Sequence, residues 1–381
     1  MSAADHPERA PTASDVASRC RDAEFVRLVA TPDGDALAAT GLLATALAER
    51  DVAFQTSVTR WPTADSEADL TVTLGAPGGD VALTGASVAP VVYDAATELD
   101  ADPDATLALA GVVAAGEGPG DHADLLDRTG LDRSPGVAGP TDDVADTLAH
   151  TTLAHASFSG SPEDAAQALA GVDREGRTLA SALALSVLES GGRHAADAVE
   201  RVLNPYTLDG TGPFTTLAGY ADVLDATARQ RPGTGVALAL GYGVHDAALD
   251  AWRQHARAVH GTVRDATVAR HDGLVVAGVT TDDGTDESES PSTGPCLGAV
   301  ARLVRDYRSP EPVVLAHRGG TAAVAAVDEG VETLAAEAAN AVGGEARTRP
   351  THGVGTPACA YVRTDESEMD AVVAALRRAL Q

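Results

Sequence analysis

Asp33 and Asp35 stand one residue apart across Gly34, in the run Val29-Ala30-Thr31-Pro32-Asp33-Gly34-Asp35-Ala36. A short apolar run, Phe25 to Val29, precedes them, and a long apolar stretch, Thr40 to Arg50, follows. Two carboxylates in such a strand-to-helix turn are expected to aim their oxygens at one spot, which suits a hard divalent cation, Mg2+ or Mn2+. The same side chains also suit the positive dipole end of the next helix, as caps. A further acid, Asp94, closes the apolar run Val88 to Tyr93.

A second chemistry lies near the C-terminus. His317-Arg318-Gly319-Gly320 ends an apolar run, and Gly353, Gly355 and Thr356 lie in a second glycine-rich loop. Glycines let backbone amides approach an anion closely, and a guanidinium adds bidentate donors, so these loops suit an anion; they equally suit ordinary turns with a solvated arginine. Other signals are weaker. Gly210-Thr211-Gly212 lacks the strand and third glycine of a dinucleotide fingerprint. A lysine-bearing phosphate loop is excluded, because the chain has no lysine. His150 and His155 are five apart, off one helix face, and His255 and His260, also five apart, read as surface residues.

The elements that must position these residues follow from periodicity. Phe25 to Val29, Ala53 to Val58, Leu70 to Leu74 and Val88 to Tyr93 read as strands and Thr40 to Arg50 as a helix, with Leu107 to Ala115 open to either. This alternation predicts a parallel α/β sheet. Helices are expected over Ser161 to Gly171 and Thr178 to Ser190, the first capped by Ser161 with Pro162 at its first position. Turn-rich Asn204-Pro205-Tyr206 and Asp209 to Pro213 precede helices over Ala218 to Ala228 and Asp246 to His260. A second α/β region then opens with a strand pair, Thr267 to Arg270 and Leu274 to Val279, around His271-Asp272-Gly273. It continues with helix Leu297 to Tyr307, strand Pro312 to His317, helix Val331 to Val342, strand Ala358 to Arg363 and helix Glu366 to Leu380. The acidic segment 280–293 reads as a surface loop.

The chain has 381 residues and a formal charge of -29, and all 27 basic residues are arginine. An acidic, lysine-free surface of small residues resembles that of a salt-in halophilic cytoplasmic protein. Molar salt collapses affinity that depends on counterion release, so loose surface binding of phosphates is disfavoured. Cys20, Cys296 and Cys359 are few and widely spaced, which predicts free thiols. No membrane partner is expected.

The Pro32-Asp33-Gly34-Asp35-Ala36 turn resembles the first motif of the DHH phosphoesterase superfamily, the fold of RecJ-type nucleases, usually written His-x-x-Pro-Asp-Gly-Asp-Ala. The family's histidine falls on Val29. Its next aspartate falls on Thr73, in Thr73-Leu74-Gly75. The Asp-His-His signature falls on Asp94-Ala95-Ala96, so the resemblance adds Asp94 to Asp33 and Asp35 as a candidate metal ligand; the last aspartate falls on Ala115, with Glu117 as the nearest acid. The C-terminal Gly-His-Pro of the DHH-associated domain, a loop that grips substrate phosphate in the family, falls on Gly355-Thr356-Pro357, after Gly343-Gly344 and near His352; the resemblance thus implies His317, Arg318, Gly319, Gly320, Gly353, Gly355 and Thr356 as candidate phosphate or nucleic-acid binders.

The resemblance covers residues 22 to 120 and 266 to 365. It implies an α/β protein with a DHH-type parallel-sheet domain (22–200) after a flexible tail (1–21). A helical connector (201–262) and a smaller α/β DHH-associated domain (263–381) complete the expectation. It further implies a catalytically degenerate RecJ-like protein acting in DNA replication or repair. Single-stranded nucleic acid and replisome proteins such as GINS and the MCM ring are the expected partners. The alternatives are a Mn2+- or Mg2+-dependent single-strand exonuclease or phosphoesterase, and a small-nucleotide-binding regulator.

Overall fold

A computed structural model describes residues 10–60, 68–171, 176–190, 194–208, 210, 212–279, 296–327, 330–343, 345–348 and 359–381. The apolar run after residue 24 forms β1 (Phe25–Ala30), crosses over through α2 (Gly34–Glu49) and returns in parallel as β2 (Ala53–Val58). β3 (Leu70–Leu74) and β4 (Val81–Leu83) add in parallel on the other side of β1, in the order β2-β1-β3-β4. The chain therefore leaves β1 in one direction and reaches β3 in the other. In open α/β sheets this reversal opens a crevice at the carboxyl ends of the two strands.

Two expectations are corrected in this half, and one left open is resolved. The segment expected as a tail holds α1 (Ala13–Asp22), begun by a reciprocal capping box between Thr12 and Asp15. Val88 to Tyr93 is not a strand, for α3 (Ala89–Glu98) starts there with Pro90 in its first turn. Its β-branched residues mimic a buried strand, and length alone separates the two. Leu107 to Ala115 resolves as α4 (Ala105–Ala115), between the Asp104 cap and a left-handed Gly116. A Cβ on Gly111 would lie 2.7 Å from that of Ala89, so glycine permits the close packing of α4 on α3.

The next segment is helical, with α5 (Ala123–Thr129), α6 (Val144–His150), α7 (Pro162–Ala168), α8 (Gly176–Ser190) and α9 (Ala195–Glu200). Ser161 caps α7 as its sequence predicts, accepting from the Asp164 amide at 3.2 Å. Then come α10 (Leu217–Gln230), α11 (Pro232–Ala239) and α12 (His245–Asp265). These do not stand apart as a connector. α10 packs on α2 and α4 in the first core, while residues 138–202 share a second core with the C-terminal sheet. α12 runs through both, with Trp252 in the first and Val259 and Val263 in the second.

Asp222 of α10 fastens this junction. Its buried carboxylate accepts from Thr151 Oγ1 and the Thr152 amide, both at 3.1 Å, from Thr152 Oγ1 at 2.6 Å and from Trp252 Nε1 at 2.8 Å. Burial raises its carboxyl against those four donors. Asp222→Ala strands the donors away from water, and a loss of about 3 kcal/mol is expected in urea unfolding.

The second sheet runs β5-β6-β7-β8-β10-β9: β5 (Thr267–His271), β6 (Leu274–Gly278), β7 (Val313–Arg318), β8 (Thr321–Ala326), β9 (Glu345–Thr348) and β10 (Cys359–Arg363). β6 and β7 are parallel; the other pairings are antiparallel. The expected strand pair turns at Gly273, whose φ is +75°. Alternate residues divide between two layers: Val275, Ala277, Val314 and Ala316 face α13 (Leu297–Tyr307), while Leu274, Val276, Val313 and Leu315 face α14 (Val331–Asn340) and α15 (Met369–Ala379). The acidic segment 280–293 lies outside the described residues. Among the described residues no helix is long and apolar enough to cross a membrane.

Candidate functional site

Where β1 and β3 end, a cavity of about 600 Å³ opens between the two α/β units. Its near wall is the pair of turns after those strands, Thr31-Pro32-Asp33 and Gly75-Ala76-Pro77. Gly75 has φ +85°, and a Cβ there would stand 2.1 Å from Thr31 Oγ1, so the turns touch because residue 75 is glycine. α10 supplies Asp225 and Arg229, and the far wall is α13 and β10, with Arg302, Cys359 and Tyr361.

The candidate metal ligands do not converge here. Asp33 caps its own helix: Oδ1 accepts from the Ala36 amide at 2.9 Å and Oδ2 from Thr31 Oγ1 at 2.5 Å. Asp35 turns away from the cavity to cap α3, where it accepts from the Val88 and Ala89 amides at 2.8 and 3.0 Å and from Ser87 Oγ at 3.1 Å. The two carboxylates serve two different helix N-termini, not one spot. Asp94 lies exposed on α3 rather than at a strand end. Burial raises its carboxyl while Arg128 lowers it. Thr73 is buried beside Val29, Ala95 and Ala96 are core residues, and Glu117 pairs with His122 at 2.9 Å. Among the described residues no group of three His, Cys, Asp or Glu can hold a metal ion. This donor set does not fit a two-metal centre, which needs a bridging carboxylate. Asp35→Ala, read in urea unfolding, is expected to cost about 2 kcal/mol as a lost cap. Unchanged or increased stability would instead mark a strained ligand position.

The first candidate phosphate loop lies elsewhere. His317, Arg318, Gly319 and Gly320 close the hairpin between β7 and β8, and none lines the cavity. Gly320 is pressed on Thr364, where a Cβ would lie 2.0 Å from the carbonyl oxygen. Burial lowers the His317 imidazole, against Asp370. Gly353, Gly355 and Thr356 lie outside the described residues.

The cavity is lined instead by five arginines, Arg60, Arg133, Arg201, Arg229 and Arg302. Arg201 pairs with Asp306 at 2.7 Å, and Arg229 with Asp225. Asp225 also accepts from the Gly34 amide at 3.0 Å, which ties the Asp33 turn to this pair. The Nε of Arg229 is buried with no hydrogen-bond partner. Arg60 lies 4.5 Å over the Tyr361 ring, Arg133 lies 5.2 Å over Tyr206, and Arg302 donates to the Thr152 carbonyl at 2.7 Å. None of these three forms a salt bridge among the described residues. The field they create reaches Cys296, at the start of α13. Burial works to raise its thiol, yet Arg229, Arg60 and the Ala299 amide hold it below the ordinary value. Sequence reasoning passed over all five, because no local motif joins residues spread from 60 to 302. The one available signal was the scarcity of cations in so acidic a chain.

Comparison with known proteins agrees with this architecture. Residues 266–378 match the family described as "Uncharacterized protein rrnAC1427, C-terminal domain". The protein rrnAC1427 of Haloarcula marismortui, a haloarchaeon, is 44% identical over 386 residues, 97% of either chain. RecJ from Thermus thermophilus, solved with Mg2+, superposes with a TM-score of 0.52 at 14% identity over 97% of this chain. The match spans only 51% of that RecJ. CDC45 from Entamoeba histolytica superposes with a TM-score of 0.51 at 10% identity, covering 96% of this chain and 97% of that one. With its parallel sheet, its cavity at the switch point and its smaller C-terminal sheet, the chain has the RecJ-like DHH fold and belongs to the family of Haloarcula rrnAC1427.

Proposed function

We propose that this protein is a RecJ-like binding protein that no longer hydrolyses its ligand and holds the phosphates of single-stranded nucleic acid in the cavity between its two units. The supporting observation is that Arg60, Arg133 and Arg302 line the cavity without a carboxylate partner among the described residues, beside the orphaned Nε of Arg229. The chain as a whole carries a formal charge of -29, whereas the cavity sets five arginines against four acids, Asp33, Glu117, Asp222 and Asp225. Guanidiniums that line a cavity without a carboxylate partner can take an anion from outside, and phosphate fits their fork geometry. The helix caps made by Asp33 and Asp35 support the loss of hydrolysis.

The wider setting carried with this proposal is DNA replication or repair, beside replisome proteins. A 5′-labelled single-stranded oligonucleotide in molar KCl with Mn2+ tests the reading, with wild type beside the Asp33→Ala/Asp35→Ala variant. Binding without cleavage is expected for wild type. Cleavage by wild type that the double variant loses would establish a metal-dependent nuclease instead.

A further inference from the structure

One side of the cavity is a short two-stranded ribbon. Arg133 and Val137 bridge Tyr206 and Leu203 in antiparallel register. The Ser134 amide donates to the Pro205 carbonyl at 3.0 Å, and the Asn204 amide to the Gly136 carbonyl at 3.1 Å. The Leu217 amide donates to the Tyr206 carbonyl, also at 3.0 Å, which fixes the ribbon to the first turn of α10.

Three features of this ribbon are unexplained by packing. Asn204 has φ +52°, in the left-handed region, yet its side chain is exposed on the cavity lining. Strain of this kind gathers at ligand clamps. Arg133, exposed and without a salt bridge among the described residues, lies over the Tyr206 ring. A guanidinium laid on an aromatic ring is a flat polarised surface of the sort on which nucleobases stack. The space beside it, about 600 Å³, lies in the range that takes a small organic ligand. Phosphate alone requires neither a ring nor an amide.

We propose that this ribbon is a base-holding platform: the Arg133–Tyr206 pair stacks the base of a nucleotide, the Asn204 side-chain carboxamide hydrogen-bonds its edge, and Arg60, Arg229 and Arg302 hold its phosphate. The proposal rests on the phosphate reading of the cavity. Asn204 offers one acceptor and two donors, the complement of the donor and acceptor on the adenine edge. The ligand class is thus a nucleoside phosphate, supplied either free or as the end of a strand.

Calorimetric titration of the full chain in molar KCl with inorganic phosphate, dAMP, dTMP and a 5′-phosphorylated hexanucleotide tests it. Wild type is expected to bind dAMP about 5- to 150-fold more tightly than phosphate, the range for one stacked base. Tyr206→Leu is expected to remove that advantage and leave phosphate affinity in place. Asn204→Gly, which keeps the left-handed backbone without strain, is expected to erase the difference between dAMP and dTMP. A hexanucleotide tighter than dAMP identifies a strand end as the source, and equal affinity identifies the free nucleotide. Equal affinity of wild type for phosphate and dAMP, untouched by Tyr206→Leu, overturns the platform while the phosphate site stands. Failure of all four ligands to bind overturns the cavity reading and the platform together.

Discussion

Replacing Arg60 and Arg302 together by alanine is expected to weaken single-strand binding about 10²- to 10⁴-fold. Each guanidinium would make a charge-assisted hydrogen bond with phosphate, and such bonds contribute about 1.5–3 kcal/mol each. At molar ionic strength the Debye length is about 3 Å, so a loose positive surface contributes little and cations in contact with the ligand dominate. Enclosure therefore decides the outcome: Arg60 and Arg302 are both half-buried in the cavity wall. Arg50 is the control. It lies outside the cavity and donates to the Leu99 carbonyl at 3.1 Å, so Arg50→Ala leaves binding unchanged. Fluorescence anisotropy of a labelled oligonucleotide in molar KCl reads the difference. Equal affinity of the double variant and wild type would remove the cavity as the binding site.

Acid is expected to destabilise the fold well before its carboxylates are protonated. His255 and His260, assigned to the surface by their spacing alone, are both buried. Burial first, then neighbouring charge, holds both imidazoles down to about 3: Arg229 acts on His255, and His155 on His260. His260 Nε2 donates to the Thr151 carbonyl at 3.0 Å, which leaves its Nδ1 to accept from His155 Nδ1, also at 3.0 Å. A proton on His260 would set two donors face to face. Burial, with Arg264 and Arg308, likewise holds His155 down to about 4.

Unfolded histidine takes up its proton near pH 6.5, while these three stay neutral in the fold. Stability is therefore full above that pH and falls as pH drops from about 6.5 toward 3. At about 1.4 kcal/mol per pH unit for each excluded proton, His255 and His260 alone remove about 5 kcal/mol by about pH 4.5. Asp146, held at about 2 against its own burial by His150 and Arg253, keeps its stabilising contribution across this window and loses it only at lower pH. Asp222, raised by burial, acts in the opposite sense. Urea midpoints between about pH 7.5 and 4.5 test this. A midpoint independent of pH over that window is incompatible with buried neutral histidines, and His255→Leu should flatten the slope by about one proton.

Local chemistry made much of the scaffold legible. β2, β3 and α13 occupy the residues that their apolar runs predict, and the strand pair turns at Gly273. The α7 cap follows from Ser161-Pro162. α1 was missed although its capping box stands in four consecutive residues, Thr12 to Asp15. α3 was not legible at all, because the group that starts it, Asp35, lies 53 residues before Val88.

Apolar periodicity and turn chemistry are local, so the linear chain specifies the alternation of strands and helices, and with it a crevice at the ends of β1 and β3. It also specifies which acids flank that crevice. What those acids do depends on contacts that exist only in the folded molecule. A carboxylate beside a turn binds a cation or caps a helix according to which backbone amides come within hydrogen-bond reach, and α3 brought its own amides to Asp35. The arginines follow the same logic at longer range. They come from a loop after β2, a ribbon, the C-terminal end of α9 and the helices α10 and α13, and no spacing along the chain relates them. The interleaving of two cores around α12 sets them around one cavity. A cation's partner is fixed by the space it shares, not by its neighbours in sequence.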